Sequence, residues 1–183
     1  MKETAWRVSS LRVSGLAQAL ARKGVLDEVL LHCTPETRAV FTRPHDAASH
    51  PAQALVDFNE AVVRTLGTAG LEELNFEATR DAYSKVLRPI VTVAVAITGA
   101  SPASILSRVP SSVGQILPGV TATWTARGKN AGTVSIAYPG SISPTFEHAW
   151  RGGLRFLSEL AGTPLRIDEF RLEGSAFVFD LSW

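Results

Sequence analysis

The chain has 183 residues, 45% of them hydrophobic, with 18 basic and 17 acidic side chains. This length and composition predict a single domain, residues 1–183, with its own core. The balanced charge, without a long run of like charges, argues against a nucleic-acid interface. The most apolar stretch, residues 89–100, is about half of the roughly 20 residues that span a bilayer, so we expect no membrane span.

The compartment is predicted from the cysteine content and from the first residues. The only cysteine, Cys33, cannot form an internal disulfide and is compatible with a reducing compartment. The opening residues, MKETAWRVSS, lack the apolar region of a secretory signal. We therefore expect a cytoplasmic protein.

The first part of the chain, about residues 1–117, predicts a series of helices. One helix is predicted in SGLAQALARKG, with Ser14 as its N-cap and Gly24 just past its end. Another begins in TPETRAVF, where Thr34 is suited to the N-cap and Pro35 to the first helical position.

Two further helical segments follow. Apolar residues at helical spacing predict a helix that begins near Ser49 and Pro51 and that Gly67 closes. The β-branched run after Pro89 is compatible with a buried strand or a buried helix. We favour a helix, because the run continues a helical segment and precedes a new helix capped at Ser101.

The second part, about residues 118–183, changes to an alternating pattern. VTATWTARGKNAGTVSIAY predicts a hairpin that turns at residues 128–132, and a second hairpin turns at residues 173–175. One long helix between them enters through Ser143 and leaves through Gly162. The predicted fold is α+β: an N-terminal helical layer followed by β-β-α-β-β, with a four-stranded antiparallel sheet packed on helices.

The helix between the hairpins carries two adjacent glycines, each of which costs roughly 1 kcal/mol relative to alanine. On a helical wheel, one apolar stripe contains Phe146, Trp150, Gly153, Leu157 and Leu160. Gly152 lies on the flank of this stripe. We therefore predict that Gly153 marks a close backbone contact beneath Trp150, with an element of the same chain, a second subunit or a ligand. Gly153→Leu should then destabilise the fold, and Gly152→Ala should be nearly neutral.

A family resemblance covers about residues 105–183. Its segments are LSRVP, PGVTATW, GTVSIAYPG, FEHAWRGGLRFLSELAG and FRLEGSAFVFDLSW, the last of which includes Gly174, Phe177 and Trp183. This pattern resembles a paralogous family of uncharacterised myxobacterial proteins. More distantly it is similar to the four-vinyl-reductase domain, the haem nitric-oxide-binding domain and the small TRAPP vesicle-tethering subunits. The resemblance implies an apolar cavity between a helical layer and a sheet.

The haem-binding branch of this resemblance implies a helix histidine as iron ligand and a Tyr-x-Ser-x-Arg motif that holds the propionates. The nearest sequence, YSKVLR, provides Tyr83, Ser84 and Arg88 with the wrong spacing. His148 lies on a helix, but on the side that we expect to be exposed. We therefore predict no cofactor, and keep a haem or tetrapyrrole-binding protein as an alternative.

Metal binding and nucleophilic catalysis receive little support from the sequence. His45, Asp46 and His50 lie in one loop between prolines, without a metal-binding motif such as HExxH or CxxC. Cys33 directly follows His32, and adjacent helical residues point about 100° apart, so His32 is poorly placed as its base. The TRAPP resemblance implies an acylated pocket cysteine, but no motif assigns that role to Cys33. We expect no metal site and no enzymatic activity.

Aromatic residues are the candidates for a ligand pocket. Trp124 and Phe177 lie on predicted strands, Phe146 and Trp150 on the helix beside Gly153. Plain core packing is the commoner reason for large aromatics at helical or alternating spacing. We predict a non-enzymatic sensing or regulatory module that binds a small apolar ligand or a protein partner and signals through a homodimer contact. The alternatives are an assembly or scaffold module without a ligand and the haem or tetrapyrrole-binding protein.

Overall fold

The computed structural model describes residues 6–82 and 101–183. Its helices are α1 (Ser10–Arg22), α2 (Leu26–Leu31), α3 (Pro35–Thr42), α4 (Ala52–Ala82), α5 (Pro102–Leu106), α6 (Val109–Ile116) and α7 (Phe146–Ala161). Its strands are β1 (Arg7–Ser9), β2 (Ser49–Pro51), β3 (Thr121–Ala126), β4 (Ala131–Ala137), β5 (Arg166–Glu173) and β6 (Ala176–Ser182). The predicted α+β fold is confirmed. The run after Pro89 and the YSKVLR segment lie outside the described residues.

The polar caps predicted for two helices are confirmed. The side chain of Thr34 accepts a hydrogen bond from the backbone N–H of Thr37 at 3.3 Å, and Pro35 occupies the first turn of α3. Ser101 caps α5 in the same way, through the N–H of Ser104 at 3.2 Å. These side chains satisfy backbone donors that a helix start leaves without an intrahelical acceptor.

The predicted start of α1 is wrong. The helix begins after Ser9, whose hydroxyl accepts from the N–H of Arg12 at 3.3 Å, whereas Ser14 is buried inside the helix. The reason is the strand β1, which is too short to recognise from the sequence and which pairs with β2 in a small antiparallel ribbon. Because β1 runs directly into the helix, its last residue is the cap. Gly24 follows the end of α1 in a left-handed conformation, as predicted.

Gly67 ends the first helical segment of α4, as predicted, and a second segment follows it after a kink. Its backbone has φ 73° and ψ 177°, and helical residues continue on its other side as far as Ala82. The positive φ at this position is one that glycine adopts without a Cβ penalty. No helix of the described part of the chain is long and apolar enough to cross a membrane.

The four-stranded sheet is antiparallel, with the strand order β3-β4-β6-β5. Strand β6 is central, and it pairs Phe177 with Ile136 of β4 and Phe179 with Phe170 of β5. Phe177, Phe179 and Leu181 are all buried. Their alternation on one face of β6 places the sheet side of the core between the strands and the helices.

Helix α7 crosses α4 at Gly152, and not at Gly153 as predicted from the helical wheel. A Cβ on Gly152 would lie 2.9 Å from the backbone nitrogen of Phe76 and 3.0 Å from the Cβ of Asn75, and it would overlap the carbonyl oxygen of Glu72. A Cβ on Gly153 would meet no atom within 4 Å. The prediction is wrong because α7 has two buried sides, and the flank of the apolar stripe is the side that contacts α4.

Polar contacts reinforce this helix crossing. Arg155 of α7 forms an ion pair with Glu73 of α4 at 2.5 Å, and its guanidinium lies 4.0 Å from the centre of the Phe76 ring. The two contacts of Arg155, with Glu73 and with Phe76, lie close to the backbone contact at Gly152. The absence of a side chain at Gly152 therefore fixes how near α7 lies to α4.

Candidate functional site

A cavity of about 200 Å³ lies between α1, α4, α5, α6 and α7 on one side and strand β4 on the other. Most of its wall is apolar, and includes Leu55, Ile105, Val113, Ile116, Val134 and Ile136. Leu11 and Arg108 also line the cavity and are exposed, which places them at its opening. The cavity thus lies where the helical layer meets the sheet.

The apolar stripe of α7 forms one wall of this cavity. All five residues of the stripe line it: Phe146, Trp150, Gly153, Leu157 and Leu160. Because a side chain is missing at Gly153 and nothing lies within 4 Å of its Cβ position, the gap in the stripe adds space to the cavity. Gly152 therefore permits the contact with α4, and Gly153 enlarges the cavity on another side of the same helix.

The five candidate pocket residues fall into two groups. Phe146, Trp150 and Gly153 line the cavity, whereas Trp124 and Phe177 do not. The indole of Trp124 covers the backbone of Gly132, and its ring centre is 6.0 Å from that of Trp183.

Phe177 is fully buried, with its ring centre 6.0 Å from those of both Tyr138 and Phe170. Trp124 and Phe177 thus contribute to core packing in the sheet. A role of Phe146, Trp150 and Gly153 in contacting a ligand stays a prediction.

Of the two arginines that line the cavity, Arg12 lies in the wall and Arg108 at the opening. Arg12 of α1 is half-buried and donates hydrogen bonds to the side-chain oxygens of Asn75 and, at 3.5 Å, of Thr79, both on α4. Burial lowers the pKa of Arg12 to about 10, although the neighbouring Tyr138 acts in the opposite direction. The guanidinium is therefore charged at neutral pH. No carboxylate of the described residues forms an ion pair with it.

Asn59 and Tyr138 are the buried members of the neutral polar side chains in this wall that are not bonded to Arg12. Asn59 is 1% exposed, and its Oδ1 has no hydrogen-bond partner among the described residues. The hydroxyl of Tyr138 accepts a hydrogen bond from Nε1 of Trp150 at 3.0 Å. Burial raises the pKa of Tyr138 well above its usual range, so the phenol is neutral.

Arg12, Asn59 and Tyr138 were missed in the sequence because none of them belongs to a recognisable motif. A signal for Asn59 did exist. It follows Leu55 by four residues, on the apolar side of a predicted helix, where a polar residue is unusual. No comparable signal marks Arg12, since the predicted helix started after it.

None of the four histidines of the chain lines the cavity. His32 and His45 are exposed, and His148 is half-buried on α7 rather than exposed as predicted. His50 is buried, with its Nε2 2.8 Å from the carbonyl oxygen of Pro44. Within the described residues, no group of three or more His, Cys, Asp or Glu side chains could hold a metal ion.

Cys33 also lies away from the cavity. It is buried, and its thiol donates to the carbonyl oxygen of Val29 at 3.6 Å. Burial raises the pKa of the Cys33 thiol to about 11, and the nearby Asp57 contributes to the same shift. The thiolate needed for nucleophilic attack is therefore scarce at neutral pH.

The sequence matches no protein-family model and no curated protein. The structure is similar to solved H-NOX domains. The Fe(II) unliganded H-NOX protein from K. algicida is 13% identical with a TM-score of 0.62, and a mutant of it is 12% identical with a TM-score of 0.64; each covers 95% of both chains. An oxygen-binding H-NOX domain related to soluble guanylate cyclases, in its oxygen complex, is 11% identical with a TM-score of 0.58. The match covers 93% of this chain and 89% of the H-NOX chain.

This similarity confirms one part of the predicted resemblance, at the level of the fold. The resemblance to a myxobacterial family, to four-vinyl-reductase domains and to TRAPP subunits stays a prediction. The described chain has an α+β fold of the H-NOX type, with a largely apolar cavity between its helices and its sheet.

Proposed function

We propose that the chain is the ligand-binding domain of a sensory or regulatory protein and that it holds a small, mainly apolar molecule in the cavity. The observation that carries this proposal is the wall itself, which is apolar except for a few polar groups, as is typical of ligand sites. Its volume of about 200 Å³ exceeds the roughly 150 Å³ of an apolar cavity that binds benzene. It is below the roughly 300–1,000 Å³ of drug-sized sites.

A binding role is more consistent with this wall than a catalytic one. No histidine, cysteine, aspartate or glutamate of the described residues lines the cavity. The hydroxyl groups of the wall, on Thr79, Ser104, Ser112 and Tyr138, would need such a group as an adjacent base to act as nucleophiles. A homodimer contact, a protein partner and a cytoplasmic location remain parts of the proposal, and native mass spectrometry of the purified chain tests the first of these.

A haem or tetrapyrrole sensor is the second candidate, and the comparisons favour it over a scaffold without a ligand. Solved structures similar to this chain include H-NOX proteins, and some similar structures concern haem or porphyrin distortion or hold bound oxygen. These ligands belong to those proteins. For this chain they support the same general role, a domain that encloses a small molecule between helices and sheet.

The residues of the cavity do not fit a haem whose iron is ligated by the protein. No histidine or cysteine lines the described wall, and the phenol of Tyr138 is neutral and bonded to Trp150. A tetrapyrrole is also larger than a space of about 200 Å³, so α7 and the opposite wall would have to separate. A tetrapyrrole would therefore be held through its ring and its substituents.

A neutral fluorescent probe, N-phenyl-1-naphthylamine, tests the proposed cavity. We expect saturable binding to the wild-type chain and its loss in Gly153→Leu, whose side chain would enter the cavity. Gly114→Leu is the matched control, because Gly114 is also a helical glycine with nothing within 4 Å of its Cβ position but lies outside the cavity. Absence of saturable binding, or equal binding by both variants, would refute the proposed function.

Haemin and metal-free protoporphyrin IX test the second candidate with the same variants. A saturable shift of the Soret band that Gly153→Leu abolishes and Gly114→Leu preserves would establish a tetrapyrrole site. If iron ligation is absent, the two compounds should bind with similar affinity. A strong preference for haemin would contradict our interpretation of the cavity wall.

A further inference from the structure

The charge of Arg12 is unbalanced in the cavity wall. A charge that is partly removed from water, as the half-buried Arg12 is, carries a desolvation cost unless it is paired with an opposite charge and hydrogen-bonded. Arg12 has five N–H donors, and the described residues provide acceptors for two of them, both neutral: Asn75 and Thr79. Neither of these oxygens carries the negative charge that would offset the desolvation of the guanidinium.

Other arginines of the same fold are arranged differently. Arg22 pairs with Asp81 and Arg155 with Glu73, both on the surface. The chain thus places carboxylates beside exposed arginines, where an ion pair contributes little. It places none of its described carboxylates beside Arg12, where a counter-ion would contribute more.

Asn59 provides an independent observation on the same wall. Its buried Oδ1 accepts no hydrogen bond from the described residues, although buried polar atoms are nearly always bonded. A ligand hydroxyl or N–H group would satisfy it, whereas a carboxylate, which only accepts, would not, so Asn59 indicates a second polar contact on the wall, separate from the contact with Arg12. Arg108, exposed at the opening, adds a second positive charge to the route by which an anion would enter.

We propose that the ligand is an apolar carboxylic acid whose carboxylate pairs with Arg12 while its hydrocarbon body occupies the space beside Trp150 and Gly153. This inference rests on the proposed function and names the chemical class of its ligand. The bond is a charge-assisted hydrogen bond, which is stronger than a bond between neutral groups. It also supplies the negative charge that the wall lacks.

Octanoate and 1-octanol test this inference, because they share the same chain and differ in the charged group. Displacement of bound N-phenyl-1-naphthylamine from the 183-residue chain by each compound yields the two dissociation constants. We expect octanoate to bind the wild-type protein about tenfold more tightly than 1-octanol at neutral pH. This preference should fall as the pH is lowered from about 7 to about 4, where the carboxylate of octanoate becomes protonated.

Two variants of Arg12 separate its charge from its structural hydrogen bonds. Arg12→Gln keeps donors for Asn75 and Thr79 without the charge, and should bind both compounds about equally. Arg12→Lys keeps the charge and should retain the preference for octanoate.

Equal affinities in the wild-type protein, or an unchanged preference in Arg12→Gln, would overturn the inference and leave the proposed function standing. Failure of both compounds and of the fluorescent probe to bind would overturn the proposed function itself. If Arg12→Gln does not fold, the pH dependence of the wild-type preference decides the matter without a variant.

Discussion

Replacing Gly152 by alanine would add one methyl group where α7 crosses α4. This methyl would lie 2.9 Å from the backbone nitrogen of Phe76 and would overlap the carbonyl oxygen of Glu72. Overpacking of this kind costs about 1–3 kcal/mol, and the better helix propensity of alanine offsets about 1 kcal/mol. Backbone atoms cannot rotate away as a side chain can, so we expect an overpacking cost in the upper part of this range, about 2–3 kcal/mol, and a net loss of about 1–2 kcal/mol.

Thermal melts followed by circular dichroism measure this loss. For a chain of this size, 1 kcal/mol corresponds to about 2–4 °C, so Gly152→Ala should melt about 2–8 °C below the wild type. Gly153→Ala is the matched control on the same helix, because its new methyl group meets nothing within 4 Å. It gains helix propensity alone and should melt up to about 4 °C above the wild type.

The comparison of the two variants also gives the result that would refute this reasoning. If Gly152→Ala melts at or above the wild type, the two helices do not approach each other as closely as Gly152 permits. If Gly153→Ala melts lower than Gly152→Ala, the contact with α4 lies on the apolar stripe after all, as the helical wheel predicts.

Three other outcomes follow from the structure. Cys33, buried and with its pKa raised to about 11, should react with iodoacetamide at neutral pH far more slowly in the native than in the urea-unfolded chain; equal rates would contradict its burial. Asp180 accepts from Thr133 at 2.6 Å and from Arg171 at 2.7 Å, contacts that lower its pKa. Asp180→Asn should therefore cost about 1–3 kcal/mol at pH 7, and in urea titrations the difference should shrink as the pH falls below the unfolded value of about 3.9; a constant difference would argue against the ion pair. Truncation before Phe177 removes most of the central strand and should give insoluble protein, whereas soluble, folded protein would contradict the sheet order.

The sequence predicted those parts of the fold that depend on local chemistry. Thr34 and Pro35 mark a helix start by satisfying backbone donors, and glycine turns separate the strands of both hairpins because a left-handed backbone is needed there, as at Gly128 and Gly174. These requirements concern a few consecutive residues. They are therefore readable without knowledge of the tertiary structure.

The candidate site depends on contacts that sequence spacing does not contain. The helical wheel identified the stripe of α7 but could not show that one side of the helix contacts α4 while the other borders a cavity, so it exchanged the roles of Gly152 and Gly153. Trp124 and Phe177 lie on strands with alternating apolar residues, a pattern that pocket residues and core residues share. Only the strand order distinguishes a pocket position from a core position. Arg12 reaches the cavity because α1 lies beside α4, a long-range contact that nothing in its own neighbourhood indicates.

The position of β6 between β4 and β5 has a consequence for how this chain folds. In the four-stranded sheet, two of the three strand pairings, β3 with β4 and β5 with β6, join neighbours in the sequence and can form as local hairpins. The third joins β4 to β6 across the whole of α7 and β5, and such non-local pairings form slowly because a long loop must close first. Until β4 pairs with β6, both hairpins have free edges and Phe177 and Phe179 are uncovered. A chain that lacks this pairing would therefore be prone to aggregate. The yield of soluble protein on refolding should therefore fall with chain concentration and depend on the docking of α7.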